Sequence, residues 1–320
     1  MYLRPVSDVE LIKQIASLKN DCAPGKDGIT AKLIKMIHLE IISPLRHIIN
    51  LIFKTGKVLF HFKQSVIVPI YKSGSKNEIK NHRPISLINN FTKIFEKVLK
   101  DRLIQFYTTF NVLSKFQFGF LANCSTLDAM YSLTSEVVKS LNSNKKSIAI
   151  FIDLAKAFDT VPHLKLIEVL KLYGVRGIAQ QVFKSYLEDR DQFVKLNNTI
   201  SERTKIKIGV PQGTILGPLL FITYINSLHQ LQIDGRIISH ADDTALVFSG
   251  CYWEEVREIA VRGFKKVKNW LETFKLSLNE TKTNYIAFSI TNTNRPTFNE
   301  INVSDDITNF EIKGVKRVKY

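Results

Sequence analysis

The chain has 320 residues, 45% hydrophobic and 23% charged, the composition of a globular protein with ample core. Lys plus Arg outnumber Asp plus Glu by 45 to 29, and the surplus of +16 points to a polyanionic partner, either nucleic acid or an anionic membrane surface. A membrane span is a weak reading, because the longest apolar stretch, "ILGPLLFITYI" at 215–225, is too short and carries Pro218. A zinc site is excluded, since Cys22, Cys124 and Cys251 lie far apart without CxxC spacing.

From the N-terminus, "MYLRPVSDVELIKQ" has no apolar leader, and three unpaired cysteines fit a reduced intracellular compartment. Ser7 and Glu10 form an S-x-x-E capping box, after which Val9, Ile12, Ile15 and Ala16 predict one apolar helical face. "APGKDGIT" (23–30) ends that helix, and a second helical run covers about 31–56 with a restart expected at Pro44. "SVIVPIYKSGSK" (65–76) reads as a strand closing in a basic Gly/Ser turn. Helices are expected over 91–107 and 126–141, and the apolar run opening "SIAIFIDLAKAF" (147–158) predicts a buried central strand.

Further on, 163–173 and 178–187 are expected as helices, and "QFVKLN" with "TKIKIG" alternate as a strand pair. "GVPQGTILGPLLF" passes from a Gly/Pro loop into an apolar helix. A hairpin at 236–248, an amphipathic helix at 253–274 and a strand at 284–290 complete the series. Helices and strands mix without strict alternation, so the fold class is α+β. "TNTNRPT" (291–297) is the loosest segment, and the chain stops after "GVKRVKY".

The hairpin raises the chemical question. "SHADDTALVF" (239–248) places Asp242 and Asp243 side by side at the tip of an apolar hairpin, where adjacent carboxylates repel. A solvated turn and a metal site both remain open on this stretch alone. Asp153 stands at the end of the apolar strand, where it either caps the following helix or meets a cation. If that strand lies beside the hairpin, the three carboxylates converge, and an oxygen-only set favours Mg²⁺ or Mn²⁺. Asp159 fits a turn better than a ligand. Lys72 and Arg83 are basic groups that could face phosphates, and "GVPQG" (209–213) supplies glycines where a backbone can approach a substrate, with Gln212 able to hydrogen-bond.

"PGKDG", "HRPISL", "QFGF", "FIDLAKAFDTV", "GVPQGTILGP", "ADDTALV" and "LSLNETKTNYIAF" occur in that order over nearly the whole chain. Together they resemble the reverse transcriptase of non-LTR, LINE-type retrotransposons, close to jockey-like elements. The resemblance implies a right-hand polymerase fold. Residues 1–60 would be a helical extension, 61–145 fingers and 146–320 palm, with the reverse transcriptase domain at about 50–320. It implies Asp153 and Asp242 as principal ligands of two Mg²⁺ ions (Mn²⁺ as substitute), with Asp243 auxiliary. Phe158 would be the aromatic gate against a 2′-hydroxyl, with a plain core aromatic as the alternative. Gln212 and Gly213 would pack on the incoming nucleotide and template, and Lys72 and Arg83 would hold the triphosphate. Lys282 would protonate the leaving pyrophosphate, although Lys275 lies nearby.

Two positions depart from the family: His240 replaces Tyr or Phe before "ADD", and Leu121 replaces a common Arg. The implied partners are an RNA template, a DNA primer and dNTPs, with no stable membrane association. A larger polyprotein with an endonuclease is expected around this segment, itself expected to lack a thumb. A ribonucleoprotein of the nucleus or cytoplasm is the implied location. The competing reading is a catalytically silent, nucleic-acid-binding remnant of such an element.

Overall fold

The computed structural model describes residues 1–197, 199–290, 295–304 and 309–316. In chain order these form α1 (Asp8–Ala16), α2 (Ala31–Met36), α3 (His38–Thr55), β1 (Gln64–Tyr71), β2 (His82–Ile88), α4 (Asn90–Phe110) and α5 (Thr126–Asn142). Next come β3 (Lys146–Ile152), β4 (Leu154–Ala155), α6 (His163–Leu172), α7 (Ile178–Leu187), β5 (Arg190–Leu196), β6 (Thr199–Ile200) and β7 (Thr204–Ile206). The remainder is α8 (Gly217–Ile225), β8 (Gly235–His240), β9 (Asp243–Gly250), α9 (Trp253–Thr273), β10 (Ser277–Leu278), β11 (Asn284–Phe288), β12 (Glu300–Ser304) and β13 (Asn309–Gly314). No helix among the described residues is long and apolar enough to cross a membrane. The loose segment expected at 291–297 and the final "VKRVKY" fall partly outside the described residues.

The chain divides into two compact units, each discontinuous in sequence: Met1–Val112 with Phe158–Thr223, and Leu113–Ala157 with Tyr224–Tyr320. The linear division at 61 and 146 is therefore a different partition from the one that packing makes.

In the first unit β1 is flanked by β2, antiparallel from Ser65↔Ile88 to Tyr71↔His82, and by β5, parallel. β6 and β7 pair antiparallel with β5, the latter being the pair expected from "QFVKLN" and "TKIKIG". α4 supplies the core, with Ile94, Phe95, Val98, Leu99 and Leu103 fully buried. Arg102 of that helix grips Glu10 of α1 through both guanidinium nitrogens, the longer contact being 2.7 Å. Glu10 is thus drawn away from a reciprocal cap, while Ser7 Oγ still accepts the Glu10 N–H at 3.3 Å.

Two expectations need correcting here, and one strand was not anticipated. α1 buries Leu11, Gln14 and Ile15, while Val9 is 78% exposed, because packing against α3 and α4 selects the face one step round from the run of apolar residues. The break in the second helical run falls at Ile37 and not at Pro44. Pro44 sits inside α3, where the loss of one backbone bond is offset by burial of Leu45, Ile49, Ile52 and Phe53. "HRPISLI" is a strand, β2, in which Pro84 is tolerated because the ladder partner lies on one side only, facing Pro69 across the pair.

The second unit is built on a six-stranded sheet of order β12-β13-β11-β3-β9-β8. β3 is central and nearly continuous in burial, as its apolar run requires. Ala149, Ala245 and Val247 pack against Ala129, Leu133 and Val137 of α5. Alternation sends Phe248 to the opposite face, where a Cβ on Gly263 of α9 would stand 2.4 Å from its ring. α9 buries Val256, Ala260, Phe264 and Val267 completely, the amphipathic face anticipated for it.

Candidate active site

β3 and β9 run antiparallel with Ile152 opposite Thr244, so the next residues along the two chains are Asp153 and Asp243. β8 and β9 close with His240 opposite Asp243, which leaves Ala241 and Asp242 as the two-residue turn. Ser239 Oγ and Thr244 Oγ1 meet at 2.9 Å inside this hairpin. Asp153 and Asp242 are half-buried, and Asp243 is exposed.

The segment after α9 is fastened to the same place. The Asp153 carbonyl accepts the Asn279 N–H at 2.8 Å, and the Asn279 carbonyl accepts from the Lys282 and Thr283 N–H groups at 3.2 and 3.0 Å. That tight turn sets Lys282 Nζ 3.6 Å from Asp153 Oδ2. The contact belongs to Lys282 and not to Lys275.

Among the described residues no three His, Cys, Asp or Glu side chains are gathered into a preformed metal cage. The donor set still fits a hard divalent cation, being three carboxylates at one end of one sheet, all reaching solvent. The ammonium of Lys282 beside Asp153 shows that this carboxylate accepts a cation as neighbour.

The first unit holds the other candidates. Lys72 and Arg83 are exposed near the loop end of the β1–β2 hairpin, where the Lys72 N–H donates to the Asn81 carbonyl at 2.9 Å and Arg83 faces Ile70. The "PQG" loop lies along the outer edge of β2, the Ser86 N–H donating to the Gln212 carbonyl at 2.7 Å. Gly213 has φ of +95°, and a Cβ there would stand 2.9 Å from Ile85. Gln212 borders a cleft of about 520 Å³ that is also lined by Ile67, Pro84, Ser86, Lys205 and Val210. Phe158 is 8% exposed and stacked on Phe221 with centroids 4.4 Å apart. Its carbonyl accepts the Val210 N–H at 2.8 Å. Asp159 lies in the turn 156–160 and is exposed.

Sequence reasoning missed Glu96, which holds this loop in place. Its fully buried carboxylate accepts the Tyr186 hydroxyl at 2.6 Å and the Ile215 and Leu216 N–H groups at 2.8 and 3.1 Å, at the start of α8. Burial pushes the Glu96 carboxyl up from its ordinary value, with the Tyr186 hydrogen bond opposing. A lone Glu in an otherwise ordinary helix carries no local signal of this role.

Residues 70–320 match the family described as reverse transcriptase (RNA-dependent DNA polymerase), and the chain belongs to that family. Membership implies a polymerase fold with palm and fingers, and the mixed helix and sheet content agrees with it. It is similar to the "Probable RNA-directed DNA polymerase from transposon BS" of Drosophila melanogaster, 31% identical over 90% of this chain and 33% of the relative. The "RNA-directed DNA polymerase from mobile element jockey" of the same organism is 26% identical over 90% of this chain and 32% of its own length. The "Retrovirus-related Pol polyprotein from type-1 retrotransposable element R2" of Popillia japonica is 25% identical over 70% of this chain and 30% of its own. The chain spans about a third of the length of the curated relatives it matches.

Proposed function

We propose that this chain is an RNA-directed DNA polymerase segment of a non-LTR retrotransposon, joining dNTPs to a primer 3′-hydroxyl on an RNA template. The observation that carries the reading is the placement of Asp153 beside the Asp242–Asp243 turn at one end of the β3–β9 pair, in a chain of the reverse transcriptase family. In this reading the six-stranded sheet is the palm sheet and the β1–β2 hairpin belongs to the fingers. Asp153 and Asp242 would hold two Mg²⁺ ions with Asp243 auxiliary, and bound there the ions supply charge neutralisation at the reacting phosphate.

The primer 3′-hydroxyl gives up its proton to solvent, and its oxygen forms a bond to the α-phosphorus as the bond to the bridging oxygen breaks and pyrophosphate leaves. Lys282, whose ammonium lies 3.6 Å from Asp153, would give that leaving group a proton. Lys72 and Arg83 bind the triphosphate as a mobile point charge and a planar fork. Gln212 and Gly213 support the nucleotide and template, and Phe158 bars a 2′-hydroxyl. Template binding weakens with salt, because each Lys or Arg on a phosphate releases counterions. Work in an intracellular ribonucleoprotein, within a larger polyprotein, accords with this reading.

The test is extension of a DNA primer on an RNA template by residues 1–320 with Mg²⁺, beside Asp242→Ala/Asp243→Ala and a ribonucleotide-only reaction. Incorporation that needs dNTPs and vanishes in the double variant supports the polymerase. RNA binding without incorporation would leave a silent remnant.

A further inference from the structure

Ala241, the residue before the two aspartates, has φ of +61°, a left-handed conformation that is strained for a non-glycine residue. It is 5% exposed, so water does not hold it there. The groups that do hold it come from "QFGF". Gln117, 2% exposed, accepts the Ala241 N–H at 3.0 Å and the Gly119 N–H at 2.8 Å on Oε1, and its Nε2 donates to the Ala241 carbonyl at 3.4 Å.

Gln117 is itself fixed by backbone. The Phe118 N–H donates to the Ser239 carbonyl at 2.8 Å, and the Ser239 N–H donates to the Phe116 carbonyl at 2.9 Å, so residues 116–118 extend the sheet beyond β8. Gly119 then passes so close to the turn that a Cβ would stand 2.0 Å from the Ala241 nitrogen.

We propose that Gln117 is the positioning residue of the Asp242–Asp243 turn, its carboxamide clamping Ala241 in the left-handed conformation that aims both carboxylates. A carboxamide suits the task because it accepts from the N–H and donates to the C=O of one residue. A hydrophobe of the same size leaves two buried N–H groups and a carbonyl unpaired, and the turn then relaxes toward negative φ. Asp242 is the next residue and re-aims with it. The assignment of a catalytic consequence rests on the polymerase reading, whereas the clamp itself does not.

The test uses the full 320-residue chain as Gln117→Leu, Gln117→Glu and Gln117→Leu/Ala241→Gly. Hydrogen exchange across 239–244, Mn²⁺ titration by electron paramagnetic resonance, primer–template affinity and kcat are compared. Gln117→Leu is expected to speed exchange in the turn about tenfold and to raise the Mn²⁺ concentration for half-saturation roughly tenfold. The kcat should fall while primer–template affinity holds. Ala241→Gly should restore most of each change, because glycine takes positive φ without a clamp. Gln117→Glu keeps the accepted bonds and loses the donated one, so it should fall between.

Wild-type exchange and Mn²⁺ binding in Gln117→Leu would overturn the clamp. So would losses spread over β3, β8 and β9 that Ala241→Gly does not restore. A wild-type chain without incorporation whose turn still responds as expected overturns the polymerase reading and leaves the clamp standing.

Discussion

Glu96 and Asp153 are carboxylates in two units of a strongly basic chain, and they are treated in opposite ways. Glu96 has no exposure and takes three hydrogen bonds from its own protein, two of them from the backbone that opens α8. Asp153 keeps 34% of its side chain in contact with solvent and meets a single lysine at 3.6 Å, next to a turn bearing two more carboxylates. The first arrangement saturates the acceptor atoms and fixes a loop. The second leaves the Asp153 carboxylate partly in solvent, which contributes little to stability and which the polymerase reading assigns to metal ions.

That contrast is broken or sharpened first at the aspartates. Asp153→Asn and Asp242→Ala should each lower primer extension by about a thousandfold or more while shifting the thermal midpoint little, since substitution of partly solvated carboxylates outside the apolar core costs on the order of 0.5 kcal/mol. Glu96→Leu should do the reverse. It strips the Tyr186 hydroxyl and two buried N–H groups of their acceptor and should destabilise by about 3 kcal/mol in urea unfolding, with Glu96→Gln costing about half as much.

Acid titration separates the units by sign. Burial holds His229 of the second unit neutral, its pKa brought down to about 4 from 6.5. The unfolded chain therefore takes up that proton first, and stability falls as pH drops from 6.5 toward 4, by roughly 3 kcal/mol in full. Glu96, raised by burial, works the other way, because the folded state binds its proton first as pH falls. His229→Leu should flatten the acid limb of the stability profile, and a limb unchanged by it would refute the assignment. The smallest effect is expected at Lys282. Its ion pair is exposed, so Lys282→Ala should leave the thermal midpoint in place and lower kcat about ten- to a hundredfold.

Elements whose pattern is local were legible in the sequence. β3 is a continuous apolar run, α9 keeps one face over 21 residues, and the aspartate hairpin has only two residues in its turn. Elements that depend on distant partners were not. β12 and β13 alternate weakly; β12 pairs with β13, and β13 is stabilised by a neighbour, β11, that it meets only in the folded sheet. The face of α1 was misjudged because counting apolar residues cannot say that Arg102, 92 positions away, will fix its roll through Glu10. At the site, Asp153 and Asp242–Asp243 stood out because carboxylates on apolar strands are anomalous. Gln117 and Glu96 are unremarkable until their partners are in view, and both act on backbone groups that no side-chain pattern encodes.

β3 acquires its partners late. Its final residue, Ile152, pairs with Thr244, so about 90 residues separate the strand from the first neighbour that covers its edge, and β11 follows still later. At ribosomal speeds of roughly 5–20 residues per second, that is an interval of about 5–20 s in which a bare, apolar β-edge waits on the nascent chain. Translation tempo and chaperone supply during that interval should therefore govern the yield of soluble protein more than the final stability of the sheet does.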